Sequence, residues 1–174
     1  MFSSVMAVTV MTFVAQFDPL THVASMTTDL RDPSGVAVMA DGTVLVADPA
    51  LGRIVRFDAS GAPLGSWPVT EGPIDIAVGP TGTHYYVSLR DTASVAIYDA
   101  TFTRTGFLGE GHPLVTFIGP TDIAVAHNTG IVYVVDSDGD DVYAFNSSGT
   151  FASKFGTRGE GNGDVMHPSA IAVD

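Results

Sequence analysis

Pro120-Thr-Asp-Ile-Ala-Val125 is the stretch that decides the fold, because its pattern occurs four times along the chain. The other copies are Pro33-Ser-Gly-Val-Ala-Val38, Pro73-Ile-Asp-Ile-Ala-Val78 and Pro168-Ser-Ala-Ile-Ala-Val173. Their prolines follow one another at 40, 47 and 48 positions. A short, nearly continuous apolar run is typical of a strand buried on both faces. Self-similarity at this period indicates a repeat architecture.

Each copy opens a unit that contains further short apolar runs. A turn glycine follows the first run, and two more runs come after it. The glycines are Gly42, Gly82 and Gly130, the second runs begin at Val44, Tyr85 and Ile131, and the third runs are Ile54–Asp58, Val95–Asp99 and Val142–Asn146. We expect a fourth strand after the third run, as in Thr150–Phe155. Four short strands in about 40–48 residues are typical of a propeller blade. Asp41-Gly42 predicts a two-residue hairpin turn.

The first unit resembles the NHL repeat in Pro33–Val38, Asp41–Asp48 and Arg53–Asp58. The linker Phe155–Asp174 looks like a junction between two NHL blades. The resemblance implies an all-β fold, a β-propeller of four-stranded blades, and propellers of this family usually close with six. We expect a single domain over 1–174. Its blades are predicted at 33–72, 73–119 and 120–167, with partial blades at 1–32 and 168–174.

The chain begins as well as ends inside a repeat, because Val14–Asp18 matches Ile54–Asp58. About three to four blades are then present, which favours a part of a six-bladed propeller. The alternative is a closed four-bladed ring, in which Val5–Asp18 joins the C-terminal strand in a shared blade. An open propeller exposes strand edges, which favours self-association. Met1–Ala15 is nearly all apolar, and we interpret it as a strand rather than a signal peptide because it lacks a basic n-region.

Composition limits the class of partner. The formal net charge is −12, with only seven Lys and Arg among 174 residues. Nucleic acid and anionic membranes are bound largely through cationic side chains, so neither is an expected partner. A cationic protein, a basic peptide or a metal ion fits the acidic chain better. The absence of Cys excludes disulfides and thiol nucleophiles and leaves the compartment open.

Candidate ligand-binding residues lie where the innermost strands begin and in a loop between strands. They are Ser34, Asp75, Thr121 and Asp122 at the strand starts, and Arg90 and Asp91 in the loop. Asp75 and Asp122 occupy the same place in two units, and six-bladed lactonases hold metal with acidic residues near that channel. The simpler interpretation is that both carboxylates accept backbone amides, because Gly35 and Ala170 stand in the same place elsewhere.

No metal or cofactor is expected. The acidic run Asp136–Asp141 suggests a calcium loop, but Asp141 and Ser147 stand where an EF-hand needs Gly and Glu. Peptide-amidating lyases, which resemble NHL propellers, carry zinc-binding His beside the blade-opening proline. None of Ser34, Ile74 and Thr121 is a histidine. A turn rich in turn-forming residues accounts for the acidic run.

The sequence therefore predicts a non-catalytic propeller that binds a protein, peptide or small ligand through its rim loops and axial mouth. Two alternatives remain. One is a metal-dependent hydrolase or lyase that uses Asp75, Asp122 and groups from other blades. The other is the substrate-recognition module of a ubiquitin ligase, as in NHL propellers that follow a RING domain.

Overall fold

The chain folds into three antiparallel sheets in a computed structural model that describes residues 30–173. The predictions for Met1–Ala15, Val5–Asp18 and most of the partial blade at 1–32 lie outside these residues. Each sheet has four strands, and neighbours along the chain are neighbours in the sheet. No helix of this described part is long and apolar enough to cross a membrane.

Twelve strands make up the three sheets. The first sheet holds β1 (Val36–Val38), β2 (Val44–Asp48), β3 (Arg53–Phe57) and β4 (Pro63–Pro68). The second holds β5 (Pro73–Val78), β6 (His84–Leu89), β7 (Ser94–Asp99) and β8 (Arg104–Phe107). The third holds β9 (Pro120–Val125), β10 (Val132–Asp136), β11 (Asp141–Phe145) and β12 (Phe151–Phe155). The predicted order of four strands per unit is confirmed.

The core of the described residues has two apolar layers between successive sheets and a smaller cluster of Val46, Val55 and Phe57 on the other face of the first sheet. Ile76 of β5 is buried against the first sheet, whereas Ala77 belongs to the layer shared with the third sheet. Ile123 and Val125 of β9 face the second sheet in the same way as Ile76 does the first. The apolar run of the motif thus lets one strand pack against both neighbouring sheets, because successive side chains point to opposite sides.

The first innermost strand departs from the expectation of burial on both faces. Val36 and Val38 are each 64% exposed. The residues in the same places of β5 and β9 pack against the preceding sheet. Ala37 on the opposite face packs against the layer shared with the second sheet. The physical reason is that the described chain places a sheet on only one side of β1.

The turn at Asp41-Gly42 is longer than the predicted two-residue hairpin. Met39 N donates to Thr43 O at 2.8 Å, and Gly42 N donates to Met39 O at 2.9 Å, so three residues form the loop. Gly42 has φ +84°, which supports the expectation that glycine is needed there. A type I turn followed by a left-handed residue is the usual form of such a loop.

The hairpins between the two outer strands of the three sheets share one pattern of hydrogen bonds, and the second sheet differs in the residue at the left-handed position. Asp58, Asp99 and Asn146 each accept two backbone amides with one side-chain oxygen. The left-handed position of the turn is glycine in two sheets and Phe102, with φ +62°, in the second. The Phe102 ring stacks on Trp67 of the first sheet at a centroid distance of 4.2 Å. Burial of an aromatic ring between two sheets offsets the strained backbone.

Candidate functional site

Asp75 lies at the start of the innermost strand of the second sheet, where the repeat places it. Its side chain is 8% exposed. Its Oδ2 accepts the amide of Ile123, the first buried apolar residue of β9, at 2.9 Å. Its own amide donates to the Ser88 hydroxyl at 2.9 Å. The carboxylate therefore fastens the second sheet to the third through the backbone.

Asp122 repeats this contact one sheet further on. Its Oδ2 accepts the amide of Ile171 at 2.6 Å, and Ile171 belongs to the fourth copy of the motif. From the sequence alone, we interpreted both carboxylates as acceptors of backbone amides in the turn that enters their own strand. In the structure, each carboxylate instead accepts an amide of the next innermost strand, and sequence spacing alone does not reveal this contact.

Burial and charge make Asp75 an unusual carboxyl group. Loss of hydration, and after it the neighbouring Asp122 carboxyl, raise the pKa of Asp75 to about 7. The amides of Ile123 and Ile76 act in the opposite direction by stabilising the charged form. A proton on Asp75 near neutral pH is the result.

Ser34 and Gly35 occupy the same end of the first sheet. The Ser34 hydroxyl donates to the carbonyl of Ile74 at 2.6 Å. A Cβ on Gly35 would overlap the Asp75 carboxylate and lie 2.5 Å from the Asp75 Cα. The first and second sheets are therefore joined by the close approach of Gly35 and by the Ser34 hydroxyl. The next two contacts between innermost strands use the carboxylates of Asp75 and Asp122 instead.

Thr121 and the Arg90-Asp91 loop differ in burial and in polar contacts. The Thr121 Oγ1 is buried with no hydrogen-bond partner among the described residues. Arg90 and Asp91 form an ion pair of 3.4 Å with both side chains more than half exposed. Screened surface pairs of this kind contribute little to stability. The structure thus brings Ser34, Asp75, Thr121 and Asp122 to the starts of neighbouring strands, and leaves Arg90 and Asp91 on the surface.

A second set of polar residues, at the ends of the second strands, has a structural role, and it includes Asp136 of the acidic run. Asp48 accepts the amides of Arg31 and Asp32. Asp136 accepts those of Ile118 and Gly119. Each carboxylate caps the backbone that enters the innermost strand of its own sheet. Ser88, which stands in the same place in the second sheet, instead accepts the amide of Asp75 within β5. The recurrent small polar residue after each second run is the sequence signal for this role.

The acidic run Asp136–Asp141 is used within the fold. Asp140 accepts the amide of His167 at 2.7 Å, and Arg158 approaches its other oxygen at 3.7 Å. Asp141 pairs with Lys154 at 2.8 Å. Among residues 30–173, no group of three or more His, Asp or Glu side chains is placed to hold a metal ion.

A groove, which we call the axial groove, runs between the three innermost strands. It is lined by Val36–Val38, Ile76–Val78, Ile123, Val125 and His127 and has a volume of about 200 Å³. At the end where these strands turn into their hairpins it meets a depression of about 410 Å³. Asp41, Thr81 and His127 stand at this hairpin end. The sequence candidates lie at the opposite end, because every innermost strand starts at its proline.

Comparisons with solved structures identify the architecture. Virginiamycin B lyase from Staphylococcus aureus matches with a TM-score of 0.63 at 14% identity, over 83% of this chain and 46% of that one. A putative 6-phosphogluconolactonase from Bacteroides fragilis matches with a TM-score of 0.61 at 20% identity, over 79% and 40%. The fold is that of a β-propeller. Kuenenia stuttgartiensis hydrazine synthase also matches, with a TM-score of 0.66 at 19% identity, over 88% and 41%.

These likenesses concern the propeller fold and not its chemistry. The chain spans less than half the length of each of these structures. No family model and no curated protein matches the sequence. The β-propeller is one of the folds that carry many unrelated functions, so the neighbours' activities do not transfer with it.

Proposed function

We propose that this β-propeller is a non-catalytic scaffold of the NHL type, which binds a protein, peptide or small ligand through its rim loops and axial groove. The observation that carries the proposal is the axial groove. It runs along the innermost strands and opens at the hairpin end, beside Asp41 and His127, into a depression whose lining is mainly apolar. A concave apolar surface with a few polar groups at its mouth is the usual form of a ligand site. A single domain with partial blades at 1–32 and 168–174 belongs to the same proposal.

The polar residues at the proline end support a scaffold more than a catalyst. Asp75 and Asp122 each give an oxygen to a backbone amide of the next innermost strand. A carboxylate held in this way joins two sheets and is restricted as a base or metal ligand. Ser34 is likewise engaged, with the carbonyl of Ile74. The proline end is therefore explained by blade-to-blade contacts, and the concave apolar surface lies at the hairpin end of the groove.

Charge indicates the kind of ligand. The chain carries a formal charge of −12, and hydrogen bonds from Thr43 hold the pKa of Asp41 at the groove mouth below its usual range. Asp41 is therefore ionised at neutral pH. A ligand that combines an apolar segment with a positive charge suits both the groove and its mouth. We infer that a cationic, partly apolar peptide is the preferred ligand class.

Fluorescence anisotropy with two labelled peptides tests this proposal. One peptide alternates Leu and Lys, and the other replaces each Lys by Glu. We expect the cationic peptide to bind at least about tenfold more tightly, with an affinity that falls as salt rises. Val38→Arg places a charge in the groove and should weaken binding. Leu64→Arg is the matched control, because Leu64 is an exposed strand residue, 46% accessible, far from the groove lining.

Four outcomes are decisive. Loss of binding in Val38→Arg alone supports the groove as the site. Equal effects of the two substitutions, or a preference for the anionic peptide, would contradict it. Turnover of a lactone or peptide that disappears in Asp75→Asn and Asp122→Asn would instead support the hydrolase or lyase alternative. Capture of a ubiquitin-conjugating complex by a longer chain is what the ligase alternative requires.

A further inference from the structure

Three stacked side chains lie between the outer strands of the first and second sheets. Phe102, in the hairpin between β7 and β8, lies on Trp67 of β4 with ring centroids 4.2 Å apart. The Arg56 guanidinium of β3 lies 4.9 Å from the centroid of the Phe102 ring. A cation over an aromatic ring is attracted by the quadrupole of the ring. This interface therefore holds one cation and two rings in contact.

The interface between the second and third sheets lacks this stack. The register of strands and turns identifies the residues in the same places, namely Gly149 for Phe102, Ile97 for Arg56 and Leu108 for Trp67. The amides of Phe102 and Gly149 close equivalent turns, each with a hydrogen bond of 2.9 Å to the carbonyl three residues before it. None of the three replacing residues carries a charge or an aromatic ring.

An open groove, which we call the outer groove, lies at this second interface. Its two adjoining parts have volumes of about 380 and 280 Å³ and share Phe107, Glu110 and Ser148 in their linings. Gly149 lines the larger part and Ile97 the smaller. Both bordering sheets have all four of their strands among the described residues. Concave sites of about 300–1,000 Å³ are typical of small-molecule ligands.

The larger part of the outer groove contains an aromatic pair. The rings of His112 and Phe151 have centroids 4.6 Å apart, and both residues line the groove. The amide of Leu114 donates to His112 Nδ1 at 3.3 Å, which helps to hold the imidazole in place. Aromatic rings associate in offset or edge-on arrangements at such distances. A flat ligand can therefore extend the pair, as Phe102 extends onto Trp67 in the first interface.

The charge of the outer groove is negative. Glu110 is exposed and forms no hydrogen bond or ion pair with any residue in 30–173. Neither part of the groove is lined by a Lys or Arg that the structure describes. The nearby Arg104 guanidinium, which lies over Phe107, is paired with Glu71 at 2.5 Å. A cationic group in the groove thus meets an unpaired carboxylate.

We propose that the outer groove binds a small aromatic amine, whose ring packs against the His112–Phe151 pair and whose ammonium group pairs with Glu110. Such a ligand supplies the ring and the cation that Phe102 and Arg56 supply between the first and second sheets. The outer groove shares no lining residue with the axial groove or with the depression at its mouth. The proposal is therefore tested independently of the proposed function.

Amide NMR spectra recorded during a titration with phenethylamine test the proposal. We expect shifts at the amides of Gly109, Gly111 and Gly149, which line the larger part of the groove. Hydrocinnamate has the same ring and the opposite charge, whereas butylamine has the charge without the ring. Each should bind at least about fivefold more weakly than phenethylamine, because each loses one of the two contacts.

Glu110→Gln removes the charge and should weaken the binding of phenethylamine at least about fivefold. Glu160→Gln is the matched control. Glu160 is also exposed and also stands between two glycines, but it does not line the outer groove. Neither substitution removes a buried side chain, so both variants should fold.

Shifts at the outer groove, with phenethylamine preferred and weakened by Glu110→Gln alone, are the expected result. Equal affinities for phenethylamine and hydrocinnamate, or equal effects of the two substitutions, would overturn the proposal. Shifts confined to the axial groove would also overturn it, as would the absence of shifts at tens of millimolar amine.

Discussion

Replacement of the buried Asp75 by Asn should remove a pH dependence from the stability of the propeller. Asp75 has a pKa of about 7 in the folded chain against an ordinary value of 3.8. Below pH 4 it is protonated in both the folded and the unfolded chain. Between pH 4 and 7 the unfolded chain releases this proton while the folded chain keeps it. The contribution of Asp75 to the stability of the folded chain is therefore fully present below about pH 4 and is lost as the pH rises through 7.

The size of the effect follows from the difference between the two pKa values. About three units at roughly 1.4 kcal/mol each set an upper limit of about 4 kcal/mol for the stability lost between pH 4 and 8. Asn has almost the same shape and its side-chain oxygen can still accept the Ile123 amide. It carries no charge beside Asp122 and needs no proton. Asp75→Asn should therefore equal the unmodified chain near pH 4 and exceed it at pH 8.

Guanidinium unfolding at pH 4.5, 6 and 8 measures this difference, with Trp67 as the fluorescent reporter because it is the only Trp of the chain. Asp58→Asn is the control. Asp58 is an exposed turn residue whose pKa is lowered by hydrogen bonds from Ser60 and Ala62, so its effect on stability has the opposite direction with pH. The reasoning is refuted if Asp75→Asn keeps the decline of the unmodified chain between pH 4.5 and 8, or if it is less stable at pH 8.

Two further substitutions test the contacts between the first and second sheets. Gly35→Ala should destabilise the chain by about 2 kcal/mol or more, because the added Cβ would meet the Asp75 backbone at 2.5 Å. A melting temperature within 1–2 °C of the parent would contradict that approach, on the usual scale of a few degrees per kcal/mol. Phe102→Gly relieves a φ of +62° but removes the ring stacked on Trp67, so we expect a net loss of about 1–3 kcal/mol and a red shift of Trp67 emission. Unchanged emission would show that the stack is absent in solution.

Local signals in the repeat account for the correct part of the sequence analysis. Proline at the strand start, alternating apolar residues and glycine at positive φ each act within a few neighbouring residues, so their pattern predicted the order of four strands per sheet. The same locality explains one error, because turn length at Asp41-Gly42 depends on which strand residues pair. Phe102 was not singled out from the sequence, and its left-handed position is supported by the contact of its ring with Trp67.

The candidate site was less predictable. The sequence indicated that Asp75 and Asp122 were equivalent, because they occupy the same place in two units. It could not identify the amides that they accept, since Ile123 and Ile171 lie 48 and 49 positions away along the chain. The axial groove was foreseen only as an axial mouth. Its lining comes from three strands whose separation is fixed by packing between sheets.

The sequence by itself determined that this protein is built from repeated four-stranded units, because strand periodicity and turn chemistry are properties of short segments. Only the tertiary structure decided what joins the units. Burial between two sheets raises the pKa of Asp75 and directs its carboxylate to the next strand. The place of Pro168–Val173 beside Asp122 was likewise settled by a contact that spans a whole repeat, from the Ile171 amide to the Asp122 carboxylate.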